Sequence, residues 1–156
     1  MNPRHLYTNI VYSLVKKLID ELPPEFSAVY VDWDAHAEIH ELPNDNVLAG
    51  LSGVSLDHEY EEMRVVFGVG LATQNDPNLF KLRALTSHMY GAFFPETRID
   101  LYDKAAIDAG GSITPVDWMI TTTPLEILPI NRAEIRNVQF INVSALLNPA
   151  SLSFSG

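Results

Sequence analysis

The chain has 156 residues, enough for one domain with its own core. Hydrophobic residues make up 47% and charged residues 19%, which excludes wholesale disorder. Ten Lys and Arg stand against twenty Asp and Glu, a formal net charge of −10, so a surface of this kind repels nucleic acid. With no cysteine, disulfides, thiolate metal sites and cysteine nucleophiles are all excluded.

Lys16, Lys17, Asp20 and Glu21 interrupt every early apolar run, so no signal peptide is expected. The longest apolar stretch, Val65–Ala72, falls short of the roughly 20 residues of a membrane helix. A soluble protein made in a cytoplasm, with no membrane partner, is the expectation.

Residues 3–22 predict a helix. Asn2 supplies a cap and Pro3 occupies the first position, where its missing N–H costs nothing. Leu6, Ile10, Leu14, Leu18 and Leu22 recur at four-residue steps, and Pro23–Pro24 ends the run.

Residues 27–40 alternate. Val29, Val31, Trp33, Ala35, Ala37 and Ile39 form one face, and Asp32, Asp34, His36, Glu38 and His40 share the other. That is the pattern of a half-buried strand. His36, Glu38 and His40 have ligand chemistry suited to zinc or manganese, with Asp57 and His58 as further donors should two strands pair. A small metal-dependent enzyme is therefore one reading of this segment. The other is a solvated strand face, since five consecutive polar positions point to open water and the H-E-x-x-H spacing is missing.

Pro43 to Asn46 reads as a turn, and residues 47–58, with Gly50 and Gly53, show no clean period and read as an excursion or a short hairpin arm. Residues 59–73 make the clearest strand: Met63, Val65, Phe67, Val69 and Leu71 on one face, Arg64, Val66, Gly68, Gly70 and Ala72 on the other. The glycines do not make a dinucleotide fingerprint, because Thr73 stands where the third glycine belongs. They allow close packing or a bulge.

Asp76 followed by Pro77 opens a second helix over 77–91, with Leu79, Leu82, Leu85, Met89 and Phe93 as its apolar stripe. Within 95–130, Arg98–Tyr102 and Trp118–Thr123 suggest short strands and Asp103–Ala109 a helical turn stopped by Gly110–Gly111. Residues 131–147 predict a last long strand, with Ile135, Ile141 and Val143 on one side and Val138, Phe140 and Leu146 on the other.

This order predicts an α+β domain over 1–147, a mainly antiparallel sheet with two main helices packed on one face, followed by a flexible serine-rich tail at 148–156. No nucleophile elbow or triad spacing is visible, and the phosphate-loop Lys-Ser/Thr is missing after Gly110–Gly111, so neither an enzyme activity nor a cofactor is expected.

The succession of "LYTNIVYSLVKKLIDEL", "SAVYVDWDA", "EYEEMRVVFGVGLAT", "NDPNLFKLRALTSHMYGAFF" and "RAEIRNVQFINVSALL" resembles the tail terminator proteins of long-tailed bacteriophages. The likeness covers about 1–94 and 131–147 by element order, while 42–58 and 95–130 are longer than the pattern. The resemblance implies a structural virion protein at the tail–neck junction, assembled in the host cytoplasm. Its members form hexameric rings that cap the tail tube and meet the neck or connector protein, and phage DNA passes through the lumen without specific binding. On that footing Asp32, Asp34 and Glu38 would face the lumen or a rim. Arg136, Phe140, Leu152 and Phe154 would serve subunit contacts. Another neck or minor tail protein is the neighbouring reading.

Overall fold

A computed structural model describes residues 2–24, 29–30, 32–35, 47–59, 61–132 and 136–149. The chain folds as an α+β domain. In order come α1 (Leu6–Glu21), β1 (Val29–Tyr30), β2 (Leu48–Glu59), β3 (Glu62–Thr73), α2 (Phe80–Ala92), β4 (Arg98–Tyr102), α3 (Lys104–Asp108), β5 (Pro115–Thr122), β6 (Glu126–Ile127), β7 (Asn131–Arg132) and β8 (Asn137–Pro149). The strands form one sheet in the order β1-β2-β3-β8-β5-β4, with β6 and β7 also paired to β8. All pairings are antiparallel except β1 with β2.

The first helix begins where its cap predicts. Asn2 Oδ1 accepts from the Arg4 amide at 3.0 Å, a 3₁₀ turn spans Pro3–His5, and the α-helix follows. Ile10, Leu14 and Leu18 are fully buried. They meet Val65, Phe67, Val69 and Leu71 of β3, Ile141, Val143, Ala145 and Leu147 of β8, and Leu82, Leu85 and Met89 of α2 in a single core on one face of the sheet. The Phe67 and Phe93 rings pack edge to face in that core, centroids 5.6 Å apart.

Two buried polar residues fasten α1 to the far side of the sheet. Ser13 Oγ donates to the Asn9 carbonyl at 2.7 Å and accepts from the Tyr102 amide at 2.9 Å. Asn9 Oδ1 accepts from the Lys104 amide at 3.0 Å, at the start of α3. These bonds satisfy backbone donors where β4 leaves the sheet.

Several sequence expectations need correction. Of the two readings of residues 47–58, the hairpin arm holds and the excursion does not, and the arm is long rather than short: β2 is a full strand paired with β3 from Leu48↔Ala72 to Glu59↔Glu62. Its register slips by one residue between Ser52 and Ser55, and Gly53 adopts φ +59 there. The second helix starts at Phe80, not at Pro77. Asp76 still caps it, but from outside: its carboxylate accepts from the Lys81 and Leu82 amides at 3.2 and 3.0 Å. The intervening turn places Leu79 in the left-handed region at φ 60.

The expected strand 131–147 is two pieces, β7 folding back on β8 with Arg132 opposite Asn137. Ile135 lies outside the described residues. Asn148 and Pro149, assigned to the tail, continue β8 and pair with Met119 and Trp118.

Candidate functional site on the outer face of the sheet

The helices leave the other face of the sheet uncovered, and β3 and β8 show it their alternate residues: Gly68, Gly70 and Ala72 beside Asn142, Phe140 and Val138. The turn after β1 lies across this face. Trp33 rests on Gly70 so closely that a Cβ at that position would stand 2.7 Å from the indole. The Trp33 and Phe140 ring centroids are 5.3 Å apart with planes at 76°, and the Arg136 guanidinium lies 5.9 Å from the Trp33 ring. Leu48, Ala72 and Val138 complete the cluster.

The expected strand through 27–40 is thus broken after Tyr30. Asp32 Oδ1 accepts from the backbone amides of Asp34 and Ala35 at 3.1 and 3.3 Å, which closes a turn over Trp33–Ala35. Asp34 reaches across to the β2 irregularity and accepts from Ser52 Oγ and the Gly53 amide, both at 2.9 Å. Asp32 and Asp34 are exposed, and their carboxylates hold the turn onto β2. Glu38, His36 and His40 lie outside the described residues.

Asp57 and His58 are near the opposite end of β2 from the point where β1 pairs, Val29↔Leu48 and Tyr30↔Ala49. Strand pairing therefore does not bring them to the Asp32 turn. Among the described residues no group of three or more His, Asp or Glu side chains is placed to hold a metal. No helix among the described residues is long and apolar enough to cross a membrane.

Of the residues expected at subunit contacts, Arg136 and Phe140 come together around Trp33, while Leu152 and Phe154 lie outside the described residues. Trp33 itself was placed by alternation on the core-facing side of a strand and instead covers the outer face. Gly68 and Gly70, side by side on one face of the strongest strand, are the sequence signal for such a neighbour: glycine on a sheet face marks close approach by something large.

Two depressions lie elsewhere on the domain, one farther along β8 and one beside the Asp32 turn. On the β5 side, Arg98, Met119, Thr121, Leu146 and Asn148 line an open groove of about 530 Å³. On the α1 side, Tyr7, Val11, Val15, Tyr30 and Leu51 floor a cleft of about 240 Å³ with Asp32 and Asp34 at its edge. Tyr7 donates to the Val54 carbonyl at 2.8 Å beneath it. Burial raises the Tyr30 phenol above its ordinary value, and the Asp32 charge adds to the shift.

No protein-family model and no curated protein matches the chain. One solved structure, whose name describes no activity or partner, shares the fold at a TM-score of 0.53 over 90% of this chain and 94% of its own, with 10% sequence identity. At that identity the likeness is one of fold alone.

Proposed function

We propose that this chain is a structural component of a long-tailed phage virion: a tail terminator that caps the tail tube as a hexameric ring and joins it to the neck or connector. The observation that carries the reading is the outer sheet face. Beside the Trp33 lid, Gly68 and Asn142 leave it flat, and Val66, Phe140 and Leu146 leave apolar surface on it that the helices do not cover. A broad, partly apolar face on long strands suits packing against the adjoining tube or neck protein, where the buried centre is apolar and the rim polar. The element order resembles that of tail terminators, and a net charge of −10 suits a lumen through which DNA slides without sticking.

Light scattering of the purified protein, with electron microscopy of the particles, should show assemblies near six subunits, alone or on the ends of tail tubes. A strict monomer that joins no tail tube would overturn the proposal. Binding to connectors but not to tubes would move the protein to another place in the neck.

A further inference from the structure

The charged side chains are sorted along the sheet. β3 has 12 residues, an end-to-end reach of about 36 Å at ~3.3 Å per residue. Its two ends lie in opposite electrostatic surroundings.

At the hairpin end, Asp57, Glu61 and Glu62 are exposed. Asp117 is exposed beside them, because Trp118 pairs with Pro149 and Leu147 with Met63. Arg64 sits among them, 3.7 Å from Glu62. At the other end, past Thr73, α2 opens with Lys81 and Arg83, both exposed, and the whole helix carries no acidic residue. Arg132 stands next to it, donating to the Pro77 carbonyl at 3.2 Å. The nearby carboxylate of Asp76 is only 7% exposed and is engaged by the Thr73 hydroxyl and two helix amides. Among the described residues, Lys81 and Arg83 at one end and Asp57, Glu61 and Asp117 at the other make no ion pair. Among the described residues each end also holds a large apolar side chain in water: Phe80, 72% exposed, at the basic end, and Ile113, 60% exposed, just before β5 at the acidic one.

We propose that copies of this chain dock head to tail through these two ends. The acidic hairpin end of one copy receives the basic start of α2 from the next, with Phe80 buried at the centre of the contact. The inference rests on the ring reading above and names its contact surfaces. A second copy is the favoured occupant because the complement of each end is present at the opposite end of the same molecule. Like ends repel, which disfavours a symmetric dimer. A contact between two different surfaces repeats until its rotation closes a ring. Exposed ion pairs contribute little each, so Phe80 supplies the apolar anchor and the charges set orientation.

The test is light scattering of the full chain, alone and with tail tubes, across protein and salt concentration. Lys81→Glu with Arg83→Glu makes both ends acidic. Asp57→Lys, Glu61→Lys and Glu62→Lys together make the hairpin end basic. All five positions are exposed, and circular dichroism checks that each variant folds. Each set of substitutions should weaken assembly by at least tenfold, and an equimolar mixture of the two variants should restore it. Phe80→Ser should weaken assembly at every salt concentration. Wild-type rings that persist unchanged in both variants, or variants that fail to recover on mixing, would overturn the head-to-tail contact and leave the ring reading standing. A wild-type chain that is monomeric throughout would remove both.

Discussion

β3 and β8 serve two surfaces with the same backbone. Toward the helices they present Val65, Phe67, Val69, Leu71, Ile141 and Val143, all buried. Away from them they present Val66, Gly68, Gly70, Phe140 and Asn142. The inner face is filled by large side chains that interlock with two helices. The outer face is nearly level and, among the described residues, carries one lid, the Trp33 turn, fastened by two aspartates. The difference separates what makes the domain fold from what lies at its surface: damage to the inner face should unfold the chain, while damage to the outer one should loosen the lid and spare the fold.

The largest effect is expected from Phe67→Ala. Phe67 is 1% exposed and touches Phe93, so its loss should cost about 3–5 kcal/mol in chemical denaturation. A cost near zero would mean that the inner face is not the core. Gly70→Val comes next. Its side chain would occupy the place of the Trp33 indole, costing about 1–3 kcal/mol. In a Trp118→Phe background, Trp33 fluorescence should shift to the red while circular dichroism is unchanged. An unshifted spectrum would show that the lid does not rest on Gly70.

Asp34→Ala should act more locally still. It removes the acceptor for Ser52 Oγ and the Gly53 amide, so Gly53 amide exchange should accelerate while overall stability falls by about 1 kcal/mol or less. Equal acceleration across β3 would instead make the turn part of the core.

The smallest effect concerns Tyr30. Its folded pKa is raised, first by burial and then by Asp32. A raised acid favours the protonated folded form, so this contribution is complete below the unfolded value near 10 and is lost as pH climbs through the folded one. Ultraviolet titration of the wild type against Tyr30→Phe should show the Tyr30 phenol ionising late. Asp32→Asn should bring it partway back, and an unmoved titration would assign the shift to burial alone.

Sequence alone served well where one periodicity ran unbroken. The four-residue steps of α1, the alternation of β3 and the α+β class followed from residue types, and Asp76 was a legible cap. It misled where a local bond interrupts the period. Residues 29–40 alternate in composition, yet the Asp32 carboxylate turns the chain at Trp33–Ala35, and alternation does not register a side chain bonding to nearby backbone amides. Around the start of β2, Val47, Ala49 and Leu51 face the core, and after the slip Val54 and Leu56 do. The inward positions change from odd to even at Gly53, so no single period fits although every residue is in a strand. The Asn9 and Ser13 ties were invisible for another reason: their partners at Lys104 and Tyr102 lie far along the chain. The oblique placement of Trp33 over Gly70 depends on a turn that alternation did not foresee.

The position of β8 also bears on how the chain reaches this state. Among the described residues it is the last strand along the sequence, and it lies in the middle of the sheet, paired on one side with β3 and on the other with β5, β6 and β7. During synthesis the β2–β3 hairpin forms early from local contacts, but its inner edge must await residues 137–149. Until they emerge, that edge exposes unpaired backbone next to apolar side chains, the arrangement most prone to pairing with the wrong chain. Folding is therefore completed late and through long-range pairing, which is slow by nature. A protein made in many copies would gain from a chaperone during that interval, and shortening β8 should show first as lost soluble yield rather than as a lower melting temperature.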